Sequence, residues 1–266
     1  MSKSKKSYQD WCIDTLFAAL QAKDRYQGVL EDQGYIYVLK AIINHYASMC
    51  PCTEEYKREF AYEKEHVNLW WDHLNKKNRD VFFANLLRSK KAQWILEHTR
   101  DVKQLKKKLH LEHITPCGFV YKRLCALWDK GLLTRKRVAD ELKYERIVLL
   151  AKDGESKKIL DKKGCRFDDK DIAACKECFP ELAKEVDSLS GALAKSEGFG
   201  LLRMIRLHNH GVDFLRPTPN GDVAECPPEQ WKSFFDEDKI VIDGRLPETK
   251  GDDGRSSENK KRGKRK

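Results

Sequence analysis

No stretch of this sequence approaches the roughly 20 apolar residues that a membrane-spanning helix needs. The lysines of its opening residues, MSKSKKSYQDW, lead into no apolar segment of the kind that secretory signals carry. Membrane contact and export are therefore not expected, and the expected location is the cytoplasm. An even set of cysteines is also missing. Nine cysteines in 266 residues fit reduced thiols better than a disulfide framework. Two close pairs stand out, Cys50 with Cys52 and Cys175 with Cys178. The second pair, in ACKECF, has the spacing of half a zinc site, but no second CxxC or HxxxH answers it at a usual distance. It lies in a helical pattern, where cysteine often serves as a small buried hydrophobe. That is the preferred reading, with zinc as the alternative. No internal repeat is visible.

What the chain does have is charge. Charged residues make up 35% and hydrophobic residues 40%, enough for a core in a chain of this size. The formal net charge of +10 is unevenly placed. Residues 1–7 contribute Lys3, Lys5 and Lys6, and residues 255–266 contribute seven basic side chains against Glu258. The long stretch between is close to neutral. Basic tails suit phosphate contact through counterion release, and they suit solubility equally well.

The first hundred residues read as helices, with apolar positions at helical spacing. In YQDWCIDTLFAALQ these are Trp11, Leu16, Phe17 and Leu20; in YIYVLKAIINHYASM they are Tyr35, Val38, Leu39, Ile42 and Ile43. TEEYKREFAYEKEHVNLWWDHL begins at a capping residue, Thr53, and RDVFFANLLRSKKAQWILEH reads as another amphipathic helix. Trp70, Trp71 and Trp94 are expected in the core rather than as base-stacking platforms. The pattern changes at residue 109. LHLEHI alternates and stops before Pro116, and RIVLLA, 146–151, is a continuous apolar run; both are strand candidates. Between them lie two short helical patterns, CGFVYKRLCALWDKG ending at Gly131 and TRKRVADELKY capped by Thr134. KDGESKKILDKKG then reads as a turn at Gly154 and a short helix. The next helical stretch breaks at Pro180. FGLLRMIRLHN gives a further helix stopped by Gly211, with an extended piece after it. From Pro217 onward proline, glycine and acids dominate, with one short element at EQWKSFF and a tail expected to be disordered.

The chemistry-bearing stretch is KLHLEHITPCGF, 108–119, where Glu112 and His113 stand side by side before Pro116. Hydrolysis of a phosphodiester needs a base for water, neutralisation of the phosphate charge and support for the leaving oxygen. A near-neutral histidine supplies the first, and a carboxylate-held metal ion the other two. Adjacent strand residues point to opposite faces, so both members of the pair serve one site only where the strand bends. LEHITP matches a D/E-H-h-x-P motif, and RIVLLAKDGESKKI supplies a second strand, a turn and a helix start. In this the segment 109–164, about a fifth of the chain, resembles the HNH (His-Me finger) nucleases. The resemblance implies a small ββα-metal element, His113 as general base, and Glu112 and Glu155 as ligands of Mg2+ or Mn2+. It departs from the family pattern where Glu145 and Arg146 replace the usual Asn before the second strand. The two strands are also about 30 residues apart, and CxxC knuckles are absent.

In LLRMIRLHNHGVDFL, Arg203, Arg206 and His210 share one helix face, a spacing that suits phosphate contact. The competing reading makes this an amphipathic helix that buries Leu201, Leu202, Ile205 and the stem of Arg206.

The expected fold is thus mostly α with a small ββα-metal, HNH-like element, in the α+β class. Residues 1–108 form an N-terminal helical region, 109–216 an HNH-like region with helical insertions, and 217–266 an irregular segment with a basic tail. The resemblance implies a metal-dependent endonuclease, DNA a better substrate than RNA, of the restriction or phage-defence kind by analogy alone. Arg203, Arg206, Lys260, Lys261 and Arg262 would touch nucleic acid. The protein partners this allows are a second copy or a defence-system component. The alternative is a non-catalytic helical module that binds nucleic acid or protein. If the tail meets phosphates, deleting residues 250–266 weakens DNA binding and flattens its salt dependence by up to about 0.9 in slope per lost phosphate contact. Affinity measured against salt concentration checks this; an unchanged slope assigns the tail to solubility.

Overall fold

The computed structural model describes residues 8–22, 33–49, 86–155, 167–183, 195–218 and 222–236, with Phe83 and Ile159. The helix expected at 53–74, Trp70, Trp71, Cys50, Cys52 and both basic tails, with Lys260, Lys261 and Arg262, lie outside the described residues. The described chain is mostly helical, with a small mixed sheet, an α+β arrangement. In chain order it runs α1 (Tyr8–Gln21), α2 (Gln33–Met49), β1 (Leu87–Ser89), α3 (Lys90–His98), α4 (Val102–Lys108) and β2 (Leu109–His113). Then come α5 (Cys117–Asp129), α6 (Arg135–Lys143), β3 (Ile147–Ala151), a turn at Lys152–Glu155, α7 (Asp169–Cys178), α8 (Ser196–Asn209), β4 (Phe214–Pro217), β5 (Val223–Glu225) and α9 (Trp231–Asp236). None of these helices is long and apolar enough to cross a membrane.

The two strands read from the sequence pair as antiparallel neighbours, Leu109 opposite Ala151 and His113 opposite Ile147. They are not alone. The five-stranded sheet has the order β2-β3-β1-β4-β5, with β1 parallel to β3. It draws β1 from the N-terminal hundred residues and β5 from beyond Pro217. The single helix expected over 79–98 is corrected here: Leu87–Ser89 form a strand and the helix starts at Lys90. The reason is burial from both sides. Leu87 and Ser89 are wholly buried between β3 and β4, where backbone groups find partners in a ladder. Ser89 then caps α3, accepting from the Ala92 N–H.

β3 is the centre of the fold. Its run IVLLA is buried throughout, the mark of a strand covered on both faces. Val148 and Leu150 pack with Leu87 and residues of α7, α8 and α9, among them Cys175, Leu201, Ile205 and Trp231. Ile147, Leu149 and Ala151 pack on the other face with Ala92, Ile95, Leu96 and Leu105 of α3 and α4. A third core is purely helical and joins α1, α2, α5 and α6 through Leu16, Leu20, Leu39, Ile43, Leu124 and Leu142.

One tryptophan expected to be buried is not. Trp94 is 57% exposed because the buried stripe of α3 runs through Ala92, Ile95 and Leu96, leaving Trp94 to stack on His98. Trp11 is likewise half exposed, since α1 buries Cys12, Leu16 and Leu20 at i, i+4 and i+8.

The loop after β2 is gripped by α8. Thr115 Oγ1 lies 3.2 Å from both the Tyr144 and the Ser196 carbonyl oxygens. A Cβ on Gly200 would come to 2.7 Å from that hydroxyl and 3.0 Å from Ile114 Cγ2. Gly200→Ala is therefore expected to cost about 1–3 kcal/mol, as overpacking does. Urea unfolding checks this; a neutral effect would show that α8 is free to back away from the loop.

Candidate metal centre

Three chain segments meet where β2 ends. His113 closes β2, Cys117 opens α5, and Glu145 lies in the short link between α6 and β3. The strand register sets this meeting. His113 stands opposite Ile147, and the Ile114 N–H donates to the Arg146 carbonyl at 2.9 Å, which draws residue 145 under the end of β2. Glu145 is itself held by its N–H on the Leu142 carbonyl, 2.9 Å away. Pro116 ends the extended segment and starts α5 at once. Cys117 is thereby brought back toward His113, four residues earlier.

The carboxylate of Glu145 is fully buried. Its Oε1 accepts from His113 Nδ1 at 2.8 Å and from the Cys117 thiol at 3.1 Å, and Cys117 Sγ lies 3.8 Å from the same His113 nitrogen. Its Oε2 has no hydrogen-bond partner among the described residues. A buried carboxylate oxygen without a donor is costly. Imidazole nitrogen, sulfur and carboxylate oxygen all lie within 4.8 Å of one another, an arrangement that could hold a metal ion.

The electrostatics follow from that carboxylate. Burial pulls the proton affinity of His113 down, but the charge and hydrogen bond of Glu145, with Glu112 behind it, outweigh burial and the nearby Arg203 and raise it. For Cys117, burial first and Glu145 second push the thiol far above its usual range, against its own backbone N–H and the Lys40 ammonium.

The residues expected to form the site are placed differently from one another. His113 is in it. Glu112, its neighbour, points away: its Oε1 takes Arg203 Nη2 at 2.8 Å and its Oε2 takes His110 Nε2 at 2.9 Å. Glu155 lies past the far end of the β2–β3 pair. Its buried carboxylate accepts from the Ala151 N–H at 2.9 Å and from Ser89 Oγ. The span of β2 alone separates it from His113 by about 13 Å along the strand. Arg203 and Arg206 do not form an exposed basic face. Arg206 Nε binds Asp171 Oδ2 at 2.8 Å and its guanidinium covers the Phe167 ring, while both arginines are over nine-tenths buried. Cys175 lies in the core beside Phe179, where burial pushes its thiol up to about 12. The sequence reading assigns neither Cys117 nor Glu145 to the site, and notes Glu145 only as a departure from the family pattern. The signal for them was an H-x3-C spacing across the strand-to-helix turn and an acid just before the second strand.

No family model, curated protein or solved structure matches the chain.

Because Arg206 neutralises a buried carboxylate, Arg206→Ala is expected to cost about 3–5 kcal/mol of stability by stranding Asp171. Denaturant unfolding beside a DNA-binding titration separates the roles. A stable variant that loses DNA affinity would return Arg206 to the nucleic-acid surface.

Proposed function

We propose that the protein is a metal-dependent hydrolase of phosphodiester bonds in nucleic acid, DNA ahead of RNA, with His113, Cys117 and Glu145 as its metal ligands. The observation that carries this is the convergence of three ligand atoms at a strand end where His113 and Cys117 remain partly exposed while Glu145 is buried. Such a site holds its ion from beneath and leaves a side open to substrate. An ion there supplies charge neutralisation on the phosphate and acidifies water. In this assignment His113 acts as a ligand through Nδ1, in place of the general-base role that its motif implies. Glu145 is then its fellow ligand rather than its hydrogen-bond partner, and Glu112 is taken up by Arg203 beside the site. The order of acid-His strand, proline, apolar strand and turn supports the nuclease class, as do the basic tails. A cytoplasmic restriction or phage-defence role belongs to the same proposal.

One observation favours the non-catalytic alternative. The helix-face arginines that would have met phosphate are buried in ion pairs, so among the described residues no basic face is built from them. A binding or interaction module that uses the ligand cluster as a staple between β2, α5 and the α6–β3 link would look the same.

The full chain, incubated with Mg2+, Mn2+, Zn2+ and Co2+ in turn, is expected to nick or cut plasmid, single-stranded DNA or RNA, and chelator is expected to stop it. Glu145→Gln that folds, judged by circular dichroism, should lose activity by about 100-fold or more, as for loss of a group that directly serves catalysis. Intact substrates with every ion, including DNA bearing modified bases, would leave the non-catalytic module as the reading.

A further inference from the structure

We propose that His113, Cys117 and Glu145 form a site selective for a thiophilic divalent ion, zinc, rather than for magnesium or manganese. This deepens the hydrolase reading and rests on the same residues, but it concerns the ion and not the reaction.

Ligand chemistry comes first. Magnesium and manganese prefer carboxylate, carbonyl and water oxygens, whereas thiolate and imidazole suit zinc. A site in which one donor of three is a cysteine discriminates against hard ions by its composition. Geometry agrees. With Zn–S of about 2.3 Å and Zn–N and Zn–O of about 2.0–2.2 Å, the edges of a tetrahedral centre are about 3.4–3.6 Å. The observed separations are 2.8 Å for nitrogen to oxygen, 3.1 Å for sulfur to oxygen and 3.8 Å for sulfur to nitrogen. Each separation differs from the tetrahedral range by no more than about 0.6 Å. The backbone already fixes each ligand: a strand end, the first residue of a 13-residue helix, and a link pinned to Leu142.

Charge makes the same case. A thiolate, a carboxylate and a neutral imidazole carry two negative charges, and a dication brings the buried cluster to zero. Neutrality is what a poorly hydrated site requires. In the exchange the ion takes the place of the Cys117 thiol proton, which leaves to solvent. The imidazole presents its Nδ1 lone pair, its proton now on Nε2. The first turn of α5 favours the thiolate so formed. Glu145 Oε2 has no hydrogen-bond partner among the described residues, so no bond at that oxygen holds the carboxylate against turning toward the ion. Three protein ligands leave the fourth position of a tetrahedral ion open, the pattern of catalytic rather than structural zinc.

The test uses the full chain, stripped with chelator and titrated with Zn2+ against a chromophoric competitor, then with Co2+ followed by absorption. The expected result is binding that survives excess Mg2+, with tetrahedral Co2+ bands and a thiolate-to-cobalt charge-transfer band. Cys117→Ser should remove that band and weaken Zn2+ binding beyond the roughly 10- to 100-fold that loss of an outer-shell group brings. If that variant fails to fold, X-ray absorption at the zinc edge of the unmodified protein should report a single sulfur ligand with nitrogen and oxygen. A Co2+ spectrum unchanged in folded Cys117→Ser, or zinc carried by two or more sulfurs, would overturn the site and assign the metal to other cysteines. The two readings fail separately. Zinc held as described without cleavage of any nucleic acid removes the hydrolase and keeps the site. Mg2+-dependent cleavage in a folded Cys117→Ser protein that binds no zinc removes the site and keeps the hydrolase.

Discussion

The structure depends on burying one strand from every side. β3 has a helical layer on each face and a paired strand on each edge, so its backbone polar groups are satisfied by β1 and β2 while its side chains are kept from water. A segment in that position tolerates only an unbroken apolar run, and IVLLA is such a run. Register follows from it. A slip of one residue would exchange Val148 and Leu150 with Leu149, turning each toward the wrong layer. Because β2 is locked to β3 over five residue pairs, the end of β2 is locked to the residues just before β3. The meeting of His113 with Glu145 is thus a consequence of how the core is filled.

At that meeting point the protein carries an uncommon burden. Glu145 is wholly buried, and one of its oxygens lacks a donor among the described residues. Elsewhere the buried acids of this chain are paired more fully. Glu141 receives Arg123 together with the backbone and side chain of Ser196, and Asp171 receives Arg206 and Asn209. Those pairs tie helices together. Among the described residues Glu145 meets no arginine or lysine in a salt bridge; its partners are an imidazole and a thiol, both able to give up a proton and bind a cation. Glu145 differs from Glu141 and Asp171 in having an imidazole and a thiol as its partners, the groups that make it part of a candidate site.

Much of the framework was legible in the sequence because it rests on local signals. Thr134 caps α6, and Gly131 and Gly211 take positive φ just past the helices they end. The alternation of LHLEH and the continuity of IVLLA mark an edge strand and a central one. β1 was hidden because its three residues carry no period of their own and adjoin a strong helix. Only the neighbours β3 and β4 make Leu87–Ser89 extended. Arg203 and Arg206 misled for a related reason. Helical spacing shows that side chains share a face, but not whether that face meets water or a partner carboxylate such as Asp171.

The sequence by itself determined most of the described helices, the Thr134 cap, two neighbouring strands of the sheet and the α+β character. Tertiary structure alone decided which acid His113 meets. Glu112 is its neighbour in sequence, but on a strand neighbouring side chains diverge, and Glu112 turns to Arg203. Glu145 is 32 residues away and arrives only because α5 and α6 fold back and deliver it to the start of β3. Cys117 likewise joins them because the chain reverses at Pro116 from strand to helix. A candidate ligand set gathered from a strand end, a helix start and a distant link has no contiguous motif, since the distances that define it come from strand pairing and helix packing.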